Sequence, residues 1–200
     1  MSVDYGAAAW GGSMLCIIYK HFNIMKRTVL LFLISIISIS LAKAQYKPVD
    51  KGSTLEFKIA NFGFDVKGSF TGFKGDINFD QQNIAAASFD VTIDANTVNT
   101  DNNMRDGHLR DATYFDVKNY PVIHFVSSKI ASAGNAFTAY GKLTIKGKSK
   151  DISIPFTATP GTDEYQFKGS FKINRKDFGV GGTSTISNEL EVFLNVLAKK

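Results

Sequence analysis

The chain has 200 residues, with Lys+Arg 23 against Asp+Glu 18, a formal charge of +5 and 44% hydrophobic residues. That composition excludes wholesale disorder, and the length fits about one domain with an appendage. A single Cys excludes an internal disulfide and any multi-cysteine zinc or iron–sulfur site.

Residues 1–24, MSVDYGAAAWGGSMLCIIYKHFNI, have no period, no cap and no recognisable signal. Residues 25–44, MKRTVLLFLISIISISLAKA, read as a secretory leader. Lys26 and Arg27 form its positive start, Thr28 to Leu41 an uncharged run of 14 residues, and Ala42-Lys43-Ala44 a small-x-small cleavage signal. Leaders begin at or near the initiator Met, so Met25 reads as the start and residues 1–24 as a spurious extension. The apolar run is too short for a comfortable span, which needs about 20 residues, so no stable membrane anchor is expected. No Cys follows it, which argues against a lipid anchor. Cleavage is expected between Ala44 and Gln45, with the mature chain periplasmic or secreted. Removing residues 1–44 takes away Lys20, Lys26, Arg27, Lys43 and Asp4, leaving 19 basic against 17 acidic residues and a charge of +2. A nearly neutral domain without a concentrated basic face is not expected to bind nucleic acid.

From Leu55 onward the chain alternates with period two. Leu55-Glu56-Phe57-Lys58-Ile59, Phe73 to Phe79, Phe89-Asp90-Val91-Thr92-Ile93 and Leu143-Thr144-Ile145-Lys146 all put apolar residues on one face. Ile152 to Phe156, Tyr165 to Lys168, Phe171-Lys172-Ile173 and Leu190-Glu191-Val192 repeat the pattern. Such alternation marks antiparallel strands with one buried face, whereas buried parallel strands read as continuous apolar runs. Turn chemistry falls at Gly68, Gly72, Gly75, Gly134-Asn135, Gly147, Pro160-Gly161 and Gly179 to Gly182. About eight strands at short spacing predict an all-β barrel or sandwich over one domain, residues 45–200.

One stretch departs from the pattern. Thr100 to Lys118 predicts a short helix around residues 101–113, of about two to three turns, capped by Thr100 or Asp101. Asp101 with Arg105, and Asp106 with Arg110, have the i,i+4 spacing of helix-surface pairs. Asn119-Tyr120-Pro121 then leads into a strand at Val122 to Val126.

Few residues carry recognisable catalytic or metal-binding chemistry. His108 and His124 are the imidazoles of the mature domain, without the ligand set a metal needs, so no metal or cofactor is expected. His124 alternates away from Ile123 and Phe125 and reads as an exposed or hydrogen-bonded side chain. There is no Gly-x-Ser-x-Gly elbow, and Gly179 to Gly182 reads as a flexible turn, not a phosphate loop. The notable feature is aromatic: of the 17 Phe, 15 lie beyond residue 44. Composition leaves a solid Phe-rich core and a ring-lined cavity equally open, since a barrel of about eight strands just holds one slender ligand.

Four ordered motifs carry a resemblance. Thr100, Arg105-Asp106-x-His108-Leu109, Tyr114-Phe115-Asp116-Val117 and Tyr120-Pro121-x-Ile123-x-Phe125-x-Ser127 form the first. Gly141 to Gly147, Asn174-Arg175-Lys176-Asp177-Phe178-Gly179-Val180 and Val66-x-Gly68-x-Phe70-x-x-Phe73-x-Gly75 are the others. Together they resemble the signature of the YceI-like family of polyisoprenoid-binding proteins, with a small departure at Lys148-Ser149-Lys150. The resemblance implies a single eight-stranded antiparallel lipocalin-like β-barrel with an apolar tunnel. It further implies non-catalytic binding of an isoprenoid lipid, such as a prenyl quinone or polyprenyl carrier, for storage, carriage or sensing.

The expected tunnel residues are Phe57, Ile59, Phe64, Phe70, Ile77, Phe79, Phe89, Ile93, Phe125, Ile145, Phe156, Phe167 and Phe171. Arg105, Asp106, His108, Arg175 and Asp177 form the polar remainder of the motifs. They either pair with one another to pin the helix and the Asn174 turn, or meet a ligand head group. Two other classes stay open: an enzyme on a small hydrophobic substrate with His108 or His124 as general base, and a ligand-free structural β module with a solid core. A homodimer is also an open option, because barrels of this kind can pair edge to edge.

Overall fold

The computed structural model describes residues 45–183 and 185–200; the expected leader over residues 25–44 and the expected extension over residues 1–24 lie outside the described residues. Nine strands follow the period-two pattern: β1 Gln45–Asn61, β2 Phe64–Phe70, β3 Lys74–Asn78, β4 Ser88–Asp94, β5 Val122–Ala133, β6 Ala136–Ile145, β7 Lys148–Pro160, β8 Glu164–Asn174 and β9 Ile186–Lys199. Every pairing is antiparallel, and β1 closes the sheet onto β9. Along its other edge β1 meets β3 at Gln45 and Tyr46 and β2 from Leu55 to Asn61. Strands β2 and β3 therefore act as one interrupted stave, and the barrel has eight staves. Asp50 fastens the interruption: its Oδ1 accepts the Gly72 and Phe73 N–H groups at 2.9 and 2.8 Å.

The hairpins fall where turn chemistry predicts them, at Gly134-Asn135, Lys146-Gly147 and Gly161. Gly68 and Gly75 are different: they lie inside β2 and β3, not in turns. Gly68 stands opposite Phe57, and a Cβ there would come within 2.3 Å of the Phe57 ring. The glycine thus makes room for a ring that turns into the barrel.

The helix is shorter than the sequence predicts and capped one residue later. α1 spans Asn103–Arg110, with the Asn102 side chain accepting the Arg105 N–H at 3.0 Å, while Asp101 takes a positive φ of 57°. Neither i,i+4 ion pair forms. Arg105 reaches Thr100 instead, and Arg110 donates to the carbonyls of Asn96 and Val98, both at 2.8 Å. Backbone acceptors held close by the preceding turn satisfy these guanidinium groups more completely than an exposed carboxylate would, and exposed helix pairs contribute only a few tenths of a kcal/mol.

The core divides along the barrel axis. At one end Tyr46, Ile77, Phe79, Phe137, Phe156 and Phe167 are buried together; nearer the other, Phe57, Phe70, Phe73, Ile93, Val98 and Val192 form a second cluster.

Candidate functional site

The first end of the barrel is shut by rings. Phe79, just past β3 and 2% exposed, sits among Phe89, Phe137, Phe156, Tyr165 and Phe167, with centroid distances from 5.2 to 6.1 Å. Most of these contacts are edge-to-face, the arrangement favoured by the ring quadrupole.

Above this plug three cavities follow one another along the barrel. The lowest, about 130 Å3, is walled by Ile77, Phe89, Phe125, Phe156 and Phe167, with Ile93 and Phe171 above them. The middle one, about 100 Å3, shares Leu55, Ile93, Ile123, Leu143 and Phe171 with the first and adds Phe57, Phe70 and Ile145. The third, about 320 Å3, shares Phe115, Arg175, Val180 and Leu190 with the second, and includes Ile59. Thr92 is the one polar residue on the wall of the lowest cavity, and Arg175 the one on the wall of the middle cavity. Polar groups gather only in the third, where Thr100, Asn102, Arg105 and His108 face the space.

That polar mouth is built around Thr100, which is 5% exposed. Its N–H and its hydroxyl both donate to Asp106 Oδ1, at 2.9 and 2.5 Å. The same hydroxyl accepts from Arg105 Nε at 2.7 Å, and the Thr100 carbonyl accepts from Arg105 Nη2 at 2.7 Å. A buried carboxylate requires such donors, since burying it unbonded is strongly unfavourable. Asp106 thereby fixes α1 over the barrel and aims Arg105 and His108 at the mouth.

The opposite lip is the turn Arg175–Phe178, capped by Asn174, whose side chain accepts the Lys176 N–H at 2.9 Å. Arg175 is 5% exposed and donates to the carbonyls of Val180, Ile186 and Ser187 at 2.8, 3.0 and 2.9 Å. Gly181, at φ 72°, lies so close that a Cβ would come within 2.6 Å of Arg175 Nη1 and 3.0 Å of the Tyr114 ring. The glycine run is not a loose turn: Gly179 N–H donates to Lys176 O at 3.0 Å and Gly181 N–H to Thr113 O at 2.9 Å. Lys146 joins the two lips, its Nζ donating to Ala112, Thr113 and Gly179 carbonyls at 2.6, 3.2 and 3.2 Å.

Eleven of the thirteen apolar residues singled out in the sequence therefore line one of the cavities. Phe79 belongs to the plug beneath them. Phe64 lies in phase with Val66 and Phe70 but at the start of β2, beyond the barrel rim, and is 78% exposed. Of the polar group, Arg105, His108 and Arg175 come together at the mouth, Asp106 lies under Thr100, and Asp177 is exposed. His124 is on the outer face, 2.7 Å from Asp90 Oδ1. Phe115 and Tyr114, in the aperiodic stretch after α1, also line the mouth; their place in the Tyr114-Phe115-Asp116-Val117 motif was the available signal. Among the described residues no group of three His, Cys, Asp or Glu is arranged to hold a metal.

The model of the YceI-like domain matches residues 46–198. A UPF0312 protein of Yersinia enterocolitica is 31% identical over 167 residues, 78% of this chain and 87% of that protein. BcnA of Burkholderia cenocepacia, a crystal structure, aligns over 76% of this chain and 99% of its own, with a TM-score of 0.72 and 29% identity. The YCEI protein of Campylobacter jejuni is 32% identical over 68% of this chain and 85% of its own, with a TM-score of 0.61. A polyisoprenoid binding domain from Saccharophagus degradans shares the fold at 17% identity and a TM-score of 0.63, over 77% and 97% of the two chains. With the barrel, the mouth motifs and the family match all falling on the same residues, this chain belongs to the YceI-like family.

Proposed function

We propose that the protein is a non-catalytic binder of an isoprenoid lipid, such as a prenyl quinone or polyprenyl carrier, held tail-down in the barrel. One observation carries this reading: two apolar cavities and a third with polar groups on its wall stand in a row, each sharing walls with the next, so that side-chain polarity is concentrated at one end. A branched hydrocarbon chain matches that sequence of environments. Its burial is favourable by about 25 cal/mol per Å2, from which the ordering of chain and protein must be subtracted. The fold neighbour from Saccharophagus degradans, itself described as polyisoprenoid binding, supports the same reading.

The head group belongs at the mouth. Arg105 is held through Nε and Nη2, which leaves Nη1 for a quinone or phosphate oxygen, and His108 is exposed beside it. The deeper Arg175 donates to three carbonyls and serves first as a fastener of the lip. The enzyme alternative has less support. His124 faces away from the cavities against Asp90, and the Thr100 hydroxyl that shares the mouth with His108 is engaged by Asp106 and Arg105 instead. The cavities equally disfavour a structural module with a solid core. We further propose that residues 25–44 direct export and are removed before Gln45, which N-terminal sequencing of the secreted chain would check.

Organic extraction of protein isolated from its host, followed by mass spectrometry, tests the function. A stoichiometric prenyl lipid is the expected result. A clean extract, together with no uptake of added prenyl quinone, would sink the proposal.

A further inference from the structure

Among the described residues, three large hydrophobic side chains are far more exposed than the rest: Phe64 at 78%, Met104 at 76% and Phe62 at 74%, against 48% for the next, Val122. All three are at the mouth end. Met104 itself lines the mouth cavity, and so does Asn61, the neighbour of Phe62 at the tip of the β1–β2 hairpin. Scattered exposed apolar residues need no explanation, but three of them gathered at one opening form a patch that does.

Phe62 carries a second oddity. Its φ is 51°, in the left-handed region where Asn or Gly is favoured and a bulky ring is unfavourable. Nothing in the turn requires an aromatic side chain there, so the ring is not accounted for by folding.

The charge beneath the tip complements the patch. Lys58 and Lys67 stand directly opposite one another in the register, a like-charge pairing that destabilises a hairpin. They are three positions below the Asn61–Phe64 pair, about 10 Å at ~3.3 Å per residue. Lys58 has a loose ion pair with Asp65 at 3.7 Å and stands opposite Glu191 of β9 on its other side, so Lys67, exposed and without a carboxylate partner among the described residues, carries the uncompensated charge beneath the tip. Rings at the tip and the Lys67 ammonium one headgroup depth below them match the apolar boundary and phosphate layer of an anionic bilayer.

We propose that the Phe62–Phe64 tip and Met104 form a membrane-docking edge, which sets the mouth of the barrel against a bilayer containing anionic phospholipid. Docking itself requires no cargo; that the docked mouth then takes up a prenyl chain rests on the function proposed above.

The test uses the chain as isolated from its host, with vesicles of phosphatidylcholine plus phosphatidylglycerol and vesicles of phosphatidylcholine alone. Phe62→Trp is expected to report a blue-shifted emission on the anionic vesicles, quenched by brominated acyl chains. Phe62→Asn, which suits the left-handed backbone and so keeps the fold, is expected to lower vesicle partitioning about tenfold or more. Lys67→Gln is expected to lower it about fivefold on the anionic vesicles only, the effect of one lysine near the surface. An unshifted emission with unchanged partitioning of Phe62→Asn overturns the proposal. So does a dimer that Phe62→Asn dissolves while neither chain binds vesicles, since the tip would then be a self-contact. Uptake of a short-tailed prenyl quinone from detergent solution is read separately: Phe62→Asn should match the parent. Failure of both chains in that assay counts against the lipid-binding reading alone, and the vesicle data still decide the docking.

Discussion

At the closed end of the barrel Phe79 meets five other rings, and its surroundings leave it 2% exposed. At the open end Phe115 packs edge-on against Phe70 at 5.4 Å, and on its other side lies a cavity of about 320 Å3. Rings from β4, β6, β7 and β8 converge on Phe79 at the closed end, so side chains alone can fill the section. The open end has no such convergence. Its roof is made of two irregular segments, and these are held by charged groups donating to backbone carbonyls: Arg110, Lys146 and Arg175. Hydrophobic packing seals, whereas a framework of backbone-directed cations can hold a lip open around empty space.

The largest predicted effect breaks the closed end. Phe79→Ala removes the ring shared by the whole plug and is expected to destabilise the fold by about 3–5 kcal/mol in chemical denaturation, with an unchanged m-value. A loss below about 1 kcal/mol would mean that the plug is not a packed unit.

The next contrasts shaft with mouth. Phe89→Asn puts an amide on the wall of the lowest cavity and is expected to weaken prenyl-quinone uptake about tenfold or more, while His108→Ala weakens it less. The reverse order would relocate recognition to the polar motif.

Third, Asp106→Ala leaves the Thr100 N–H unbonded, with an expected loss of about 1–3 kcal/mol. Hydrogen exchange should show the α1 amides opening faster while β7 and β8 stay protected. Uniform acceleration throughout would show that the mouth is not a separable unit.

The smallest is a titration. Burial pushes the Tyr165 phenol above its ordinary 10.0, with Tyr46 and Asp80 adding to it. A raised folded value favours the neutral phenol, so this contribution is intact below the unfolded value and is lost as pH rises through the folded one. Absorbance titration should find one late-ionising tyrosine, absent in Tyr165→Phe.

The two ends also differ in how much of them could be read beforehand. Alternation identified the strands and the inward face, and it correctly sent His124 outward and Phe125 inward. It reports face but not depth. Phe64 has the inward phase, yet β2 begins beyond the rim, so its ring meets solvent; Phe79 has it too, but at the point where rings converge and no space remains. The helix was legible as an interruption, but its cap and partners were not, because Thr100, Asn96 and Val98 become acceptors only once the chain has folded back over the barrel. Phe115 and Tyr114 have no period at all, and only their motif marked them.

Binding a series of prenyl quinones that differ only in tail length tests the central claim most directly. A tail lying down the shaft predicts an affinity that rises roughly tenfold per isoprene unit and then levels off once the cavities are full. An affinity independent of tail length would contradict it, and would leave the apolar shaft without a part in binding.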